Sequence, residues 1–273
     1  MGSDSEESEM KASKRVRNLH QDFRQDLEIV ITLAQKDFKV RYRNSVLGFL
    51  WSLVNPLAYM LIISLVFSLM LHLTVPNYES WLLLGILIWR FFQVGTSQGL
   101  YSLVSQPSLV TKIYLPRFLI VVSNNLANLM GSALEFVVLV PLLLFFGVSL
   151  TAYVLLLPVV LICEFILILG LSLSLSALNL RYRDFDQLWS IALQLGFYLS
   201  PIIYAASLIP SRFQFVYSLN PVTRLIGLAR GIFLLQELPT LSDLIIMFVA
   251  IGVLFVLGVV VFLRLEKRFP EMI

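Results

Sequence analysis

Arg41-Tyr42-Arg43-Asn44-Ser45-Val46-Leu47-Gly48-Phe49-Leu50-Trp51-Ser52-Leu53-Val54-Asn55-Pro56-Leu57 is the stretch where the chain leaves water for lipid. Two arginines, a tyrosine and an asparagine stand on one side of it and an apolar run on the other. Arginines are the anchors expected on the cytoplasmic side of a bilayer, and Tyr42 and Trp51 are the amphipathic rings expected near its boundary. Pro56 has no amide proton, so it removes the helical hydrogen bond to Ser52. A membrane helix with a kink one turn below the tryptophan is expected here.

The composition agrees. Of 273 residues, 58% are hydrophobic and 14% charged, with a mean hydropathy of +0.86, which leaves too little polar side chain to coat a soluble domain. An all-α integral membrane protein follows. Its apolar runs lie at about 47–73, 81–104, 118–146, 153–180, 188–204 and 241–263, to be compared with the roughly 20 residues a helix needs to cross the hydrocarbon core. Six transmembrane helices are therefore expected within a 46–263 membrane domain.

Residues 1–18 mix acidic and basic side chains with almost nothing to bury, and a disordered cytoplasmic tail without a signal peptide is expected. From 19 to 45 the pattern changes: Leu19, Phe23, Leu27, Val30, Ala34 and Phe38 recur at helical spacing. That amphipathic helix should lie on the membrane surface.

Basic residues set the orientation. The leader to Val46 carries nine Lys or Arg, the 105–117 connection has Lys112 and Arg117, the 181–187 connection has Arg181 and Arg183, and the 264–273 tail has Arg264, Lys267 and Arg268. These ends are expected to be cytoplasmic, whereas the connections at 76–80 and 147–152 carry no Lys or Arg. The exception is 205–240, placed outside although it holds Arg212, Arg224 and Arg230. Asn220 suits an N-cap and Pro221 the first helical position. Val222, Leu225, Ile226, Ala229 and Phe233 form an apolar stripe. A short re-entrant or interfacial helix pair is expected there, lining the outer mouth of a pathway.

Three charges fall inside the apolar runs: Arg90, Glu135 and Glu164. Such groups face a bundle interior, a partner or a wet path, so Arg90 either ties helices by pairing with one glutamate or lines a polar route. Phe91, Phe92, Tyr101, Phe197, Tyr198 and Tyr204 lie in or at the ends of the runs, where rings either pack or stack on sugar faces. Arg181-Tyr182-Arg183-Asp184-Phe185-Asp186-Gln187 abuts two membrane helices and makes a charged knob suited to docking in a groove of another protein. Cys163 is the single cysteine and reads as packing. No phosphate-binding loop, zinc motif or nucleophile elbow occurs. An ATP motor, if there is one, is therefore another chain.

Six ordered landmarks carry a resemblance: Leu47 to Leu57, Leu84 to Trp89, Lys112 to Arg117, Tyr182 to Phe185, Ser200 to Tyr204, and Leu219-Asn220-Pro221. Together they resemble type-2 ABC exporter permeases for cell-surface polysaccharides, which include O-antigen, capsule and teichoic acid exporters. The resemblance implies a homodimer in the cytoplasmic (inner) membrane with both termini cytoplasmic, served by two copies of a separate ATPase that uses ATP and Mg. The permease itself would be no enzyme, would bind no cofactor, metal or nucleic acid, and would move a lipid-linked glycan. By position, Arg41, Arg43, Arg181, Tyr182, Arg183, Asp184, Phe185 and Asp186 become candidates for coupling to the ATPase. Trp51, Trp89, Arg90, Phe92, Tyr198, Tyr204, Arg224 and Arg230 become channel or gate candidates. Export of another cargo, and ion-coupled secondary transport, are the alternatives.

Overall fold

A computed structural model describes residues 24–43, 45, 48–71, 77–107, 109, 115–267 and 269. The expected tail at 1–18 lies outside the described residues, as do Asn44, Lys112 to Tyr114 and Arg268. Among the described residues all regular structure is helical. Helix α1 covers 24–42. It is followed by α2 (Leu50–Leu71), α3 (Tyr78–Tyr101), α4 (Phe118–Phe145), α5 (Leu157–Arg181) and α6 (Phe185–Leu199). Two short helices, α7 (Ser211–Leu219) and α8 (Pro221–Arg230), precede the closing α9 (Leu241–Glu266).

Among the described residues, three stretches are long and apolar enough to cross a membrane: Phe118–Phe145, Ala152–Arg181 and Leu241–Glu266. Helix α2 contributes a shorter apolar segment, Leu50–Val66, among the described residues. The other two expected runs do form helices, but of a different character. With Glu79 in its first turn, Arg90 and its amides, α3 is less apolar because it is the buried hub, in contact with α2, α4, α5, α6 and α8. Helix α6 ends at Leu199 rather than 204, because Pro201 pushes Ser200 into an extended conformation, at ψ 144°. Its 15 residues span only about 22 Å at 1.5 Å per residue.

Glycine sets the tightest helix pair. Gly170 of α5 and Gly258 of α9 meet backbone to backbone, and a Cβ at Gly258 would collide with the Gly170 carbonyl. In lipid, where apolar burial does not drive helices together, such small residues let backbones approach and gain dispersion contact. The outer face of α9, from Leu241 to Leu263, remains exposed and apolar, as a lipid-facing surface requires. On α1 the expected stripe is partly covered: Val30 and Ala34 are buried and Phe38 half-buried, while Leu27 is exposed. Sequence and structure agree closely at α8. Asn220 Oδ1 accepts from the Val222 amide at 3.0 Å, and Val222, Leu225, Ile226, Ala229 and Phe233 are all buried.

Candidate functional site

A groove of about 680 Å³ runs between α2, α3 and α6. It exists because α6 packs mainly on α3 and α5 and, among the described residues, buries little besides Leu193. Asn55, Pro56 and Tyr59 of α2 form one wall, Ser190, Gln194 and Tyr198 of α6 the other, with Arg90, Gln93 and Ser97 of α3 between them. Amides and hydroxyls lining a cleft on an otherwise apolar exterior can exchange hydrogen bonds with a polar chain passing along it. The aromatic candidates divide by position. Tyr198 stands on the rim, 63% exposed. Trp89 is buried in the floor and meets Phe197 edge-on at 6.0 Å, whereas Phe92 is buried outside the groove lining and tilts against Trp189 at 6.4 Å. Trp189 Nε1 donates to Thr96 Oγ1 at 3.3 Å, which fastens α6 to α3.

Arg90 connects this groove to a smaller cavity of about 300 Å³ bounded by α1, α2, α3 and α4. Its Nε lies 3.4 Å from Glu135 Oε1. The second glutamate, Glu164, is fully buried in α5, faces the backbone of Phe92 and has no side-chain partner among the described residues. Arg41 turns into the same cavity and donates to Gln98 Oε1. Burial there pushes the Arg41 guanidinium below its usual range, with Tyr42 and Asp37 opposing the shift. Trp51 borders the cavity and is 56% exposed. The coupling candidate Arg41 is thus held inside the membrane domain, whereas Arg43 is exposed beside Lys36 and Lys39.

The arginines of the 205–240 segment each have a tie. Arg230, itself buried, donates to the carbonyls of Trp81 (3.2 Å), Pro201 (2.6 Å) and Ile202 (3.0 Å). Its guanidinium also lies 3.2 Å from the centre of the Trp81 ring. Arg224 pairs with Asp243 at 2.7 Å, and Arg212 lies over the Phe213 ring. Tyr204 O–H donates to the Tyr198 carbonyl at 2.9 Å and its oxygen lies 3.1 Å from that of Tyr217. Burial, then the neighbouring Tyr217, pushes the Tyr204 phenol above its usual range.

At the opposite end, Arg181, Tyr182, Arg183 and Asp184 are exposed, and Phe185 and Asp186 half-buried. Tyr101 O–H donates to Asp186 Oδ2 at 3.1 Å. Tyr101, Val104 and Pro107 join Asn179, Arg183 and Asp186 around a cleft of about 410 Å³. The two connections singled out in the sequence therefore share one recess. Sequence reasoning missed Gln93, Ser97, Gln98, Gln194 and Trp81. The α3 residues were detectable, since Arg90, Gln93, Ser97 and Gln98 fall at helical spacing on one side of α3. Nothing local marked Trp81 as the partner of Arg230.

Residues 28–234 match the family model described as "ABC-2 type transporter". Among curated proteins, the chain is 33% identical over 251 residues to an "O-antigen export system permease protein RfbA" of Klebsiella pneumoniae, covering 90% of this chain and 95% of that one. A Myxococcus xanthus protein of the same name is 32% identical over 222 residues, covering 79% of this chain and 84% of its own.

Proposed function

We propose a function that starts from membership: the chain belongs to the ABC-2 type transporter family. It is the membrane permease of an ABC exporter for polysaccharide, with ATP hydrolysis carried by a separate partner. The finer reading is a six-span subunit in the inner membrane with cytoplasmic termini. It works as a homodimer with two ATPase subunits that use ATP and Mg, and exports a lipid-linked glycan of O-antigen type.

The observation that carries this reading is the open groove of amides, hydroxyls and rims of aromatic rings on α2, α3 and α6. A polar half-channel on an apolar exterior is costly in lipid, and a second copy facing it would enclose the path. Two further features support the reading. The exposed 181–184 connection leads directly into α6, so a motor pulling on it would act on the least-packed wall of the groove. The arginines at 212, 224 and 230 are each engaged, by a ring, a carboxylate and backbone carbonyls respectively, which supports reading them as structural ties.

In this mechanism ATP binding brings the partner subunits together, the 181–187 connections follow, and α6 shifts against α3. The polysaccharide then moves outward, exchanging hydrogen bonds along Gln93, Ser97 and Gln194 and stacking on Tyr59 and Tyr198. Reconstitution with a catalytically dead ATPase should abolish export of a labelled polysaccharide. Export that persists in that complex would sink the ATP-driven mechanism.

A further inference from the structure

Phe269 is the one ring in the stretch that follows α9, standing between Lys267 and Arg268 on one side and Pro270 and Glu271 on the other. Its side chain is completely buried. Had α9 continued, Phe262 and Phe269 would be separated by about 10.5 Å along its axis. Their ring centroids are instead 5.7 Å apart, edge to face at 86°, the geometry aromatic pairs prefer. The chain therefore leaves the helix after Glu266 and returns this ring to the bundle. There it joins Leu103 just beyond α3, Ile120 and Val121 of α4, and Leu173 and Ala177 of α5, in a cluster separate from the main core. Leu109 and Leu115 of the 105–117 connection pack against the same cluster. Arg117, the N-cap of α4, lies with its guanidinium 5.7 Å from the centre of the Phe269 ring. A helix start disfavours a cation, and the ring face compensates by attracting one.

Two side chains link this plug to the recess beside Tyr101. Leu103 and Leu180 touch the buried cluster and also line the cleft of about 410 Å³ shared with Arg183 and Asp186. Close-packed neighbours cannot keep their places when a ring between them is removed. Loss of Phe269 would thus release Leu103 and Leu180, and the cleft would lose its fixed floor.

We propose that Phe269 is a positioning residue for the ATPase partner. Seated behind the cleft, it holds Leu103, Leu180 and the 105–117 connection in the arrangement on which that subunit docks. The plug is a property of this chain alone, whereas its consequence for docking rests on the exporter reading.

The test uses the purified full-length chain in a Cys163→Ala background. Val104→Cys places an exposed thiol on the cleft, and Leu235→Cys places one beside the start of α9, at the opposite end of that helix. Without the ATPase, Phe269→Ala should raise the maleimide reaction rate at Val104→Cys severalfold and leave the rate at Leu235→Cys unchanged. In the background lacking both added thiols, Phe269→Ala should weaken binding of the purified ATPase partner roughly tenfold, the scale of re-ordering one or two side chains on binding. Phe269→Leu retains most of the buried volume and should keep both readouts close to those of the parent chain. Should Phe269→Ala fail to fold, Arg117→Gln leaves the ring in place and removes only the cation beside it; both readouts should then move in the same direction by less.

Rates at Val104→Cys indifferent to both variants overturn the positioning role, and equal acceleration at Leu235→Cys overturns it in favour of general loosening. Faster labelling at Val104→Cys with undiminished ATPase binding supports the plug and overturns its role in docking. An ATPase that binds neither the parent nor the variants counts against the exporter reading and leaves the labelling result standing, so the two failures are separate results.

Discussion

Arg230 holds three backbone carbonyls and one indole face at once, from residues as far away in the chain as Trp81. Its helix α8 is thereby clamped to the start of α3 and to the turn after α6. A buried carbonyl that loses its donor costs about 1–3 kcal/mol. Arg230→Ala should therefore lower the thermal unfolding midpoint in detergent by several degrees, and Arg230→Lys by less, because an ammonium still donates to one carbonyl although it cannot fork between Pro201 and Ile202. An unchanged midpoint in the alanine variant would show that the clamp contributes nothing. The residue type was legible as an oddly placed arginine, but its role was not. A channel or gate candidate and a structural clamp carry the same letter in the sequence, and only the surrounding carbonyls tell them apart.

At the scale of elements, α5 with α9 and α3 with α6 are opposites. Gly170 and Gly258 bring α5 and α9 into backbone contact, so Gly258→Leu should block that packing and abolish recovery of monodisperse protein on size-exclusion chromatography. Helix α6 is held to α3 by the Trp189 to Thr96 hydrogen bond and by Trp89 against Phe197. Trp189→Phe keeps most of the ring and deletes the donor. A cysteine placed at Leu193 in a Cys163→Ala background should then react faster with a membrane-permeant maleimide, and equal rates would mean the bond does not restrain α6. Helix existence and approximate ends were legible from run length and from Pro201, Asn220 and Pro221. The looseness of α6 was not, since its apolar content resembles that of its tightly packed neighbours.

For the whole molecule, the exposed 181–184 connection and the recess beside Tyr101 are the surface proposed for the ATPase partner. Charge reversal by Arg181→Glu with Arg183→Glu should abolish co-purification of the ATPase while leaving helical content unchanged by circular dichroism. Retention of the partner would move the coupling surface elsewhere. By contrast, Tyr59→Ala with Tyr198→Ala should reduce export severalfold and keep the partner bound, since both rings line the groove. The sequence by itself determined that the chain is a helical membrane protein, which ends carry the cations, and where α8 begins. Run length, charge and capping are local properties, written in neighbouring residues. Tertiary structure alone decided that Arg90 pairs with Glu135 rather than Glu164, that Arg41 turns inward to Gln98, and that Arg230 finds Trp81. Helical periodicity fixes which side of a helix a residue occupies, but only packing fixes which helix it faces.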